Sequence, residues 1–405
     1  MSVSVEDIRA AADAIAGEVV RTPTVRSGPL SDLLGLEVFV KLETLQRTGS
    51  FKDRGALFKL KSLSPDEMSR GVIAISAGNH AQGVAYHAQR LAIPATIVMP
   101  EGTPFNKVRR TQAFGAKVVL HGDNISAAEP FAHALAEEER LTFVHPYDDE
   151  RIIAGQGTIG LEMLEDVPDL DTIIVPIGGG GIISGIATAA KSVKPAIEII
   201  GVESEFFPTM FNAVRNEALP VGGDSIAEGI AVKSAGMITR EIIARLADDM
   251  LVVSESAIES AVQTMLIDAK IHTEGAGASP LAALRENPDR FAAKKVGLVA
   301  CGGNIDSRLL ASVLMRGMSR EGYLARLRVT ISDQPGVLGK VAEKIGESGG
   351  NIVEIYHHRL FYDVPLKLAE LDVVVETRDA AHSQEIIERL EAIGFPTRKL
   401  DDVTH

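Results

Sequence analysis

Cysteine is nearly missing from this chain: Cys301 is the only one in 405 residues. It cannot close an internal disulfide, which excludes a stapled secreted module and fits a reducing compartment, expected to be the cytoplasm. Positive charge is also short. The 41 Lys+Arg against 55 Asp+Glu give a net charge of −14 with no basic cluster, which excludes nucleic acid and anionic membrane surfaces as partners. An apolar leader is absent from residues 1–17, where Glu6, Asp7 and Arg9 sit inside a periodic pattern that reads as an amphipathic helix. The one long uncharged stretch, Thr172 to Ala190, contains five glycines, Pro176 and three hydroxyl residues. Those residues predict a buried strand, loop and helix in place of a membrane span. No internal repeat or low-complexity segment is present.

What remains has the composition of a packed globular protein, 45% hydrophobic and 24% charged, long enough for two or three domains. From Val38 onward, β-branched runs alternate with helical patterns: Val72 to Ser76, Ala95 to Met99, Ala116 to Leu120, Thr142 to Val144, Thr172 to Val175, Ile197 to Val202 and Val296 to Ala300. The alternation predicts an α/β fold with parallel sheets covered by helices, whose ligands sit at strand carboxyl ends. Non-periodic residues follow Val40, Ile75, Pro176 and Ala300, just past strands. The periodic pattern lapses around Met318 to Ala325, which places a domain boundary near residue 322. Beyond it the order is strand (Arg326 to Ile331), helix opened by Pro335 and stopped at Gly349, Gly350 and Asn351, two strands (Ile352 to His357, Leu371 to Glu376), helix (Ala380 to Ala392) and a strand near Thr397. This is a βαββαβ domain, residues 323–405.

Four clusters carry candidate chemistry. In Ser50, Phe51, Lys52, Asp53, Arg54, Gly55, a lysine stands where a loop opens a helix. Alone it reads as a solvated charge, but burial would favour the neutral amine needed for a Schiff base. Phe51 beside it is either core or the floor under a ring. Ser76, Ala77, Gly78, Asn79, His80, Ala81, Gln82, Gly83 joins a strand to a helix, and its backbone N–H groups suit a carboxylate as well as they suit a plain cap. His80 reads as a structural residue more readily than as a base. Gly178, Gly179, Gly180 and Gly181 follow Pro176 and precede a helix from Ile182. Four bare residues imply a close approach to backbone, most naturally by a phosphate that belongs to neither ATP nor NAD, since the nucleotide-loop and dinucleotide spacings are absent. Cys301, Gly302, Gly303, Asn304 offers a buried thiol, a nucleophile, or a neutral partner for a ring heteroatom. Thr273, Glu274, Gly275, Ala276, Gly277 reads as a helix stop with an exposed glutamate.

Taken in this order, the four clusters resemble the fold-type II pyridoxal-phosphate enzymes, and residues 5–318 are similar to the threonine and serine dehydratases. The tail, through Asp333-Gln334-Pro335-Gly336-Val337-Leu338 and Gly350-Asn351-Ile352, resembles an ACT module. The resemblance implies a catalytic region, residues 1–322, with a smaller subdomain of about residues 50–150 inserted in the larger one. It implies pyridoxal 5'-phosphate held by Lys52, which then acts as base, Phe51 against the ring, Asn79 at the ring hydroxyl, Gly178 to Gly181 at the phosphate, Cys301 at the pyridine nitrogen, and Gly229 and Glu274 lining the cofactor. Ser76 and the Ala77, Gly78, Asn79 and His80 backbone would grip the substrate carboxylate. A neutral thiol opposite the ring nitrogen weakens the electron sink and favours loss of a β-substituent, giving 2-oxobutanoate and ammonia from threonine. Racemase relatives carry serine where this chain has Ala77, so racemisation is not expected. They also bind a cation through residues matching Glu203 and Thr209, and the lost carboxylate at Thr209 leaves no metal assigned. The resemblance further implies an amino-acid effector at the ACT module and a homodimer or homotetramer. The same chemistry on serine or 3-hydroxyaspartate, and a non-catalytic amino-acid sensor, stay open as alternatives.

Overall fold

The computed structural model describes residues 3–359 and 367–400. The chain divides into two compact units, Met1–Ile305 and Asp306–His405. The N-terminal unit starts with helix Val5–Ile15, capped by Ser4 and Asp7, which satisfy each other's exposed backbone N–H groups. Its Ile8, Ala11 and Ile15 face inward.

Two parallel sheets form the body of this unit. The smaller has the strand order Lys117–Leu120, Ala95–Met99, Val72–Ile75, Thr142–Phe143. Val72–Ile75 and Ala95–Met99 contain no exposed residue, which is why they read as continuous apolar runs, and helices such as Asn79–Arg90 and Ile125–Glu138 cover them. The larger sheet runs Thr24–Arg26, Glu37–Leu42, Lys295–Ala300, Thr172–Pro176, Glu198–Ser204, Asp249–Val253, all parallel except the first pair. The alternating runs seen in the sequence are all strands. Thr24–Arg26 and Asp249–Val253 were not expected.

Strand order locates the crevices. In the smaller sheet, successive strands step away from Val72–Ile75 until Thr142–Phe143 returns to its other side. In the larger one, they step away from Thr172–Pro176 until Lys295–Ala300 returns. Each reversal opens a gap at the strand carboxyl ends. The loops there are Ser76 to Gly78, Gly178 to Gly180 and Cys301 to Asn304.

Helix Lys52–Lys61 sits between the sheets and packs on helix Glu150–Asp166. A Cβ on Gly155 would lie 2.6 Å from the Gly55 Cα, so only glycine permits this approach. Beside the contact lies a largely buried charge network. The fully buried Arg54 donates twice to Glu43, at 2.8 Å each, and twice to Glu162, at 2.6 and 2.7 Å. Lys41, also fully buried, reaches Glu162 at 2.5 Å and the Thr22 carbonyl at 2.6 Å. Burial would raise the Glu43 carboxyl, but the guanidinium overrides it and holds the group below the usual carboxylate range. The network ties the strand before Lys52 to the helix that carries it.

The C-terminal unit is an antiparallel sheet in the order Asn351–His358, Leu368–Glu376, Leu324–Ser332, Thr397–Lys399, with helices Val337–Glu347 and Ala380–Ala392. Leu327, Val329, Leu371 and Val373 alternate inward to meet Val341, Ile345, Ile386 and Leu390. The βαββαβ order is as expected, with two differences. Pro335 precedes the first helix, which begins after Gly336 at φ 86°, so glycine makes the entry turn. Helix Ser307–Arg320 groups with this unit, since it runs into strand Leu324–Ser332 and packs against it; the division falls at 305 where the sequence pattern lapses later. Among the described residues no helix is long and apolar enough to cross a membrane.

Arg54→Met would leave the buried Glu43 carboxylate without the guanidinium that neutralises it, with only the Thr22 hydroxyl and the Gln46 amide still donating to it. We expect a loss of about 3–5 kcal/mol in denaturant unfolding, with Arg54→Lys losing less.

Candidate active site

The loops at the two crevices enclose a cavity of about 450 Å³, bordered by Phe51, Lys52, Ser76 to His80, Gly178 to Gly181, Gly229, Glu274 and Cys301. Every residue singled out from the sequence for cofactor or substrate binding borders it. Backbone pairing holds the loops together. Phe51 N donates to Cys301 O and Gly303 N to Gly49 O, both at 2.9 Å, while Ser50 and Gly302 form an isolated bridge. Glu274 N donates to Gly302 O at 2.9 Å, so the lysine, thiol and glutamate loops form one unit. Asp53 accepts from Thr48 N at 3.1 Å and from its hydroxyl, fixing the turn that delivers Lys52.

The Lys52 amine donates to the Pro146 carbonyl at 2.7 Å and lies 5.0 Å from the centre of the Phe51 ring. Burial brings it down to about 8, against the pull of Cys301 and Glu274. It is therefore the group with a readily available neutral amine. Burial pushes Glu274 up to about 7, against the hydrogen bond it accepts from Asn79 Nδ2 at 2.8 Å. The Cys301 thiol is pushed well above its ordinary value by burial and by Glu274, and stays protonated.

Glu274 corrects a sequence expectation. It is buried, and it heads helix Gly275–Glu286 where a helix stop was expected. Gly275 and Gly277 serve close approach, because a Cβ there would lie 2.6 Å from Ile226 O or 3.1 Å from Cys301 N. His80 is structural: its Nε2 bonds Val144 O at 2.9 Å, and burial together with the Lys52 charge takes it down to about 3.

Two helices begin at the cavity, Asn79–Arg90 and Gly181–Val193, and present unpaired N–H groups and positive dipole ends to it. The glycines before the second are required partly by the protein itself. Gly180 has φ +91°, a Cβ on Gly179 would fall inside the Tyr147 ring, and one on Gly178 would lie 3.1 Å from Val232. A doubly anchored ligand fits this arrangement. Asn79 Oδ1 is buried with no partner among the described residues, an acceptor suited to a ring hydroxyl. The bare Gly178 to Gly181 backbone suits a phosphate, and the Lys52 amine suits an aldehyde. These are the groups of pyridoxal phosphate, and the residues fit it.

Glu203, raised to about 8 by burial, accepts from Met210 N at 2.8 Å and Phe211 N at 2.6 Å. Among the described residues no group of three or more His, Cys, Asp or Glu is placed to hold a metal ion. The sequence reading passed over His145, Pro146 and Tyr147, which also border the cavity. They directly follow a predicted strand, Thr142 to Val144, so the strand-end rule used for the other loops would have found them. Lys107 and Glu228, paired at 2.5 Å, were likewise missed; an exposed-looking pair leaves no sequence signal.

Comparison with known proteins agrees with this geometry. Residues 15–302 match the family model described as pyridoxal-phosphate dependent enzyme, and residues 319–394 match the ACT domain. The chain is 41% identical to an L-threonine ammonia-lyase of Thermotoga maritima over 398 residues, covering 98% of this chain and 99% of that protein. A solved threonine deaminase of T.th. superposes with a TM-score of 0.71 at 39% identity, covering 75% of this chain and 99% of that one. Maize serine racemase gives 0.73 at 33% identity, covering 79% and 99%.

An amine-directed reagent applied to the protein free of added cofactor should label Lys52 with a pH midpoint near 8, and ordinary surface lysines near 10. Mass-spectrometric titration of the labelled peptide reads the two midpoints.

Proposed function

The chain belongs to the pyridoxal-phosphate dependent enzymes and carries an ACT domain at its C-terminal end, and from this we infer that it is an L-threonine ammonia-lyase, converting threonine to 2-oxobutanoate and ammonia under amino-acid regulation. The near-full-length similarity to an L-threonine ammonia-lyase supports the substrate. The observation that carries the chemistry is the Lys52 amine, depressed by burial, in the same cavity as two helix starts and the unpartnered Asn79 oxygen.

Pyridoxal phosphate, when bound, supplies an aldehyde that captures amines and a conjugated ring that draws electrons from the α-carbon. Gly178 to Gly181 N–H groups would hold its phosphate, Phe51 would pack against the ring, Asn79 would meet the ring hydroxyl, and Gly229 and Glu274 would line the rest. The N–H groups of Ala77 to His80, with Ser76, grip the substrate carboxylate. Lys52, released to its neutral form, takes the proton from the α-carbon. Cys301 stays a thiol and cannot keep a ring nitrogen protonated as a carboxylate would. A neutral thiol in that place would favour departure of the leaving group together with the α-proton. Ala77 has no proton to return from the face opposite Lys52, which separates this chain from the racemases it resembles in fold.

We assign regulation to the C-terminal unit, with isoleucine or valine as effector, and a homodimer or homotetramer in the cytoplasm as the working form. The division between catalytic and regulatory functions is supported by the T.th. threonine deaminase, which matches three quarters of this chain over nearly all of its own length.

Lys52→Ala should abolish ammonia release from threonine with an unchanged circular dichroism spectrum; retained release would refute the role of the amine. Truncation after Ile305 should keep basal turnover and lose the response to isoleucine or valine, read as oxo-acid release with and without effector.

A further inference from the structure

Among the cavity groups that the roles above leave unassigned is His145. His145 Nδ1 accepts from Asp148 N at 2.8 Å and from Tyr147 N at 3.3 Å. A ring nitrogen that accepts carries no proton, so the proton of the neutral ring lies on Nε2. Burial holds the ring below the ordinary histidine value against the pull of Asp148, and the Lys52 charge adds to the effect. No described residue hydrogen-bonds Nε2, so the half-buried ring, which borders the cavity, keeps one donor without a protein partner. The segment is rigidly held: Asp148 caps helix Met237–Leu246 through Met237, Ile238 and Thr239 N–H groups, and Tyr147 stands edge-on to the imidazole at 4.6 Å.

Its position fixes what this donor can meet. Pro146, the next residue, receives the Lys52 amine, so the backbone carrying His145 borders the atom that takes the α-proton. Tyr147, one residue further, covers Gly179. His145 thus borders the same cavity as the amine, one residue before the carbonyl that receives it. The substrate carboxylate has its own donors at the start of helix Asn79–Arg90. The polar substrate group still without one is the β-hydroxyl.

We propose that His145 Nε2–H holds the β-hydroxyl oxygen of the substrate, so that His145 selects β-hydroxy amino acids and orients the leaving oxygen. This rests on the threonine reading given above. In the step served, the Cα–H and Cβ–O bonds break and a carbon–carbon double bond forms. The α-hydrogen passes as a proton to the neutral Lys52 amine, and the ammonium so formed gives that same proton to the departing hydroxide, which leaves as water, so the amine ends neutral and nothing else is consumed. His145 keeps its proton and shares it through the hydrogen bond.

The test compares L-threonine with β-chloro-L-alanine on the holoenzyme. Chloride departs without a proton or a donor, while hydroxide needs both. In His145→Asn the Asn oxygen takes the place of Nδ1, preserving the turn, but no donor reaches as far as Nε2. His145→Gln extends a donor to that distance. In His145→Asn, kcat/KM for threonine should fall by about 10- to 100-fold, mainly in kcat, while that for β-chloro-L-alanine stays within about threefold. His145→Gln should recover part of the threonine loss. Equal losses on both substrates, no loss on either, or failure of both variants to take up pyridoxal phosphate spectroscopically would overturn the assignment. A wild-type protein that takes up the cofactor but releases no ammonia from threonine would instead overturn the functional reading beneath it.

Discussion

The amine of Lys52 is kept where water cannot stabilise its charge, and the architecture around it serves to hold it there. A lysine at a loop-to-helix junction would ordinarily swing into solvent, because its long side chain loses rotamer freedom when pinned. Here the preceding loop is pinned first. Phe51 is paired to Cys301, Asp53 ties back to Thr48, and Arg54 is locked between Glu43 and Glu162. The glycine contact at 55 and 155 lets the next helix close over the junction. Three consecutive residues after Phe51 thus have opposite fates: Lys52 faces the cavity, whereas Asp53 and Arg54 are fully buried in structural pairs.

The parts of the fold that were legible in the sequence are those whose signal is local. Strands buried on both faces read as apolar runs, and loops at their ends as breaks in periodicity. Thr24–Arg26 is a three-residue edge strand with mostly exposed side chains and shows no apolar run, whereas Asp249–Val253 carries one, Met250 to Val253, which is only partly buried and was passed over. Glycine was legible as a need but not as a cause. At 178 to 181 a phosphate was expected to explain all four residues, yet the Tyr147 ring bars a side chain at Gly179, the left-handed turn disfavours one at Gly180, and Val232 and the Tyr147 backbone crowd Gly178 and Gly181. At 275 and 277 the same residue type suggested a helix end, whereas it permits a helix start against Ile226 and Cys301.

Partnership across long stretches of chain was not legible. Asn79 meets Glu274 and Lys52 meets Pro146 only after two sheets have formed, and the burial that shifts Lys52 and Glu274 exists only then. A sequence can nominate Glu274 by resemblance, but it cannot show that the carboxyl loses water. The segment from His145 to Asp148 shows the same limit. Each of its residues is ordinary alone, and its meaning comes from the helix it caps and the ring it places over glycine.

Burial in this cavity moves each deep titratable group toward its uncharged form. Lys52, His80 and His145 are lowered, and Glu274 and Cys301 are raised. A pocket built this way has little fixed charge of its own beside the reacting atoms, although its ligands are anions. It offers them peptide dipoles at two helix starts, which are oriented before binding and carry no counter-charge to be neutralised. Had arginines held the phosphate and carboxylate, their fields would reach Lys52 and favour or oppose its proton strongly. Backbone N–H groups give binding that falls off within a turn of the helix, so the acidity of the amine is left to burial and to its two neighbours, Cys301 and Glu274. Anion binding by dipoles would therefore be compatible here with a near-neutral base set by desolvation.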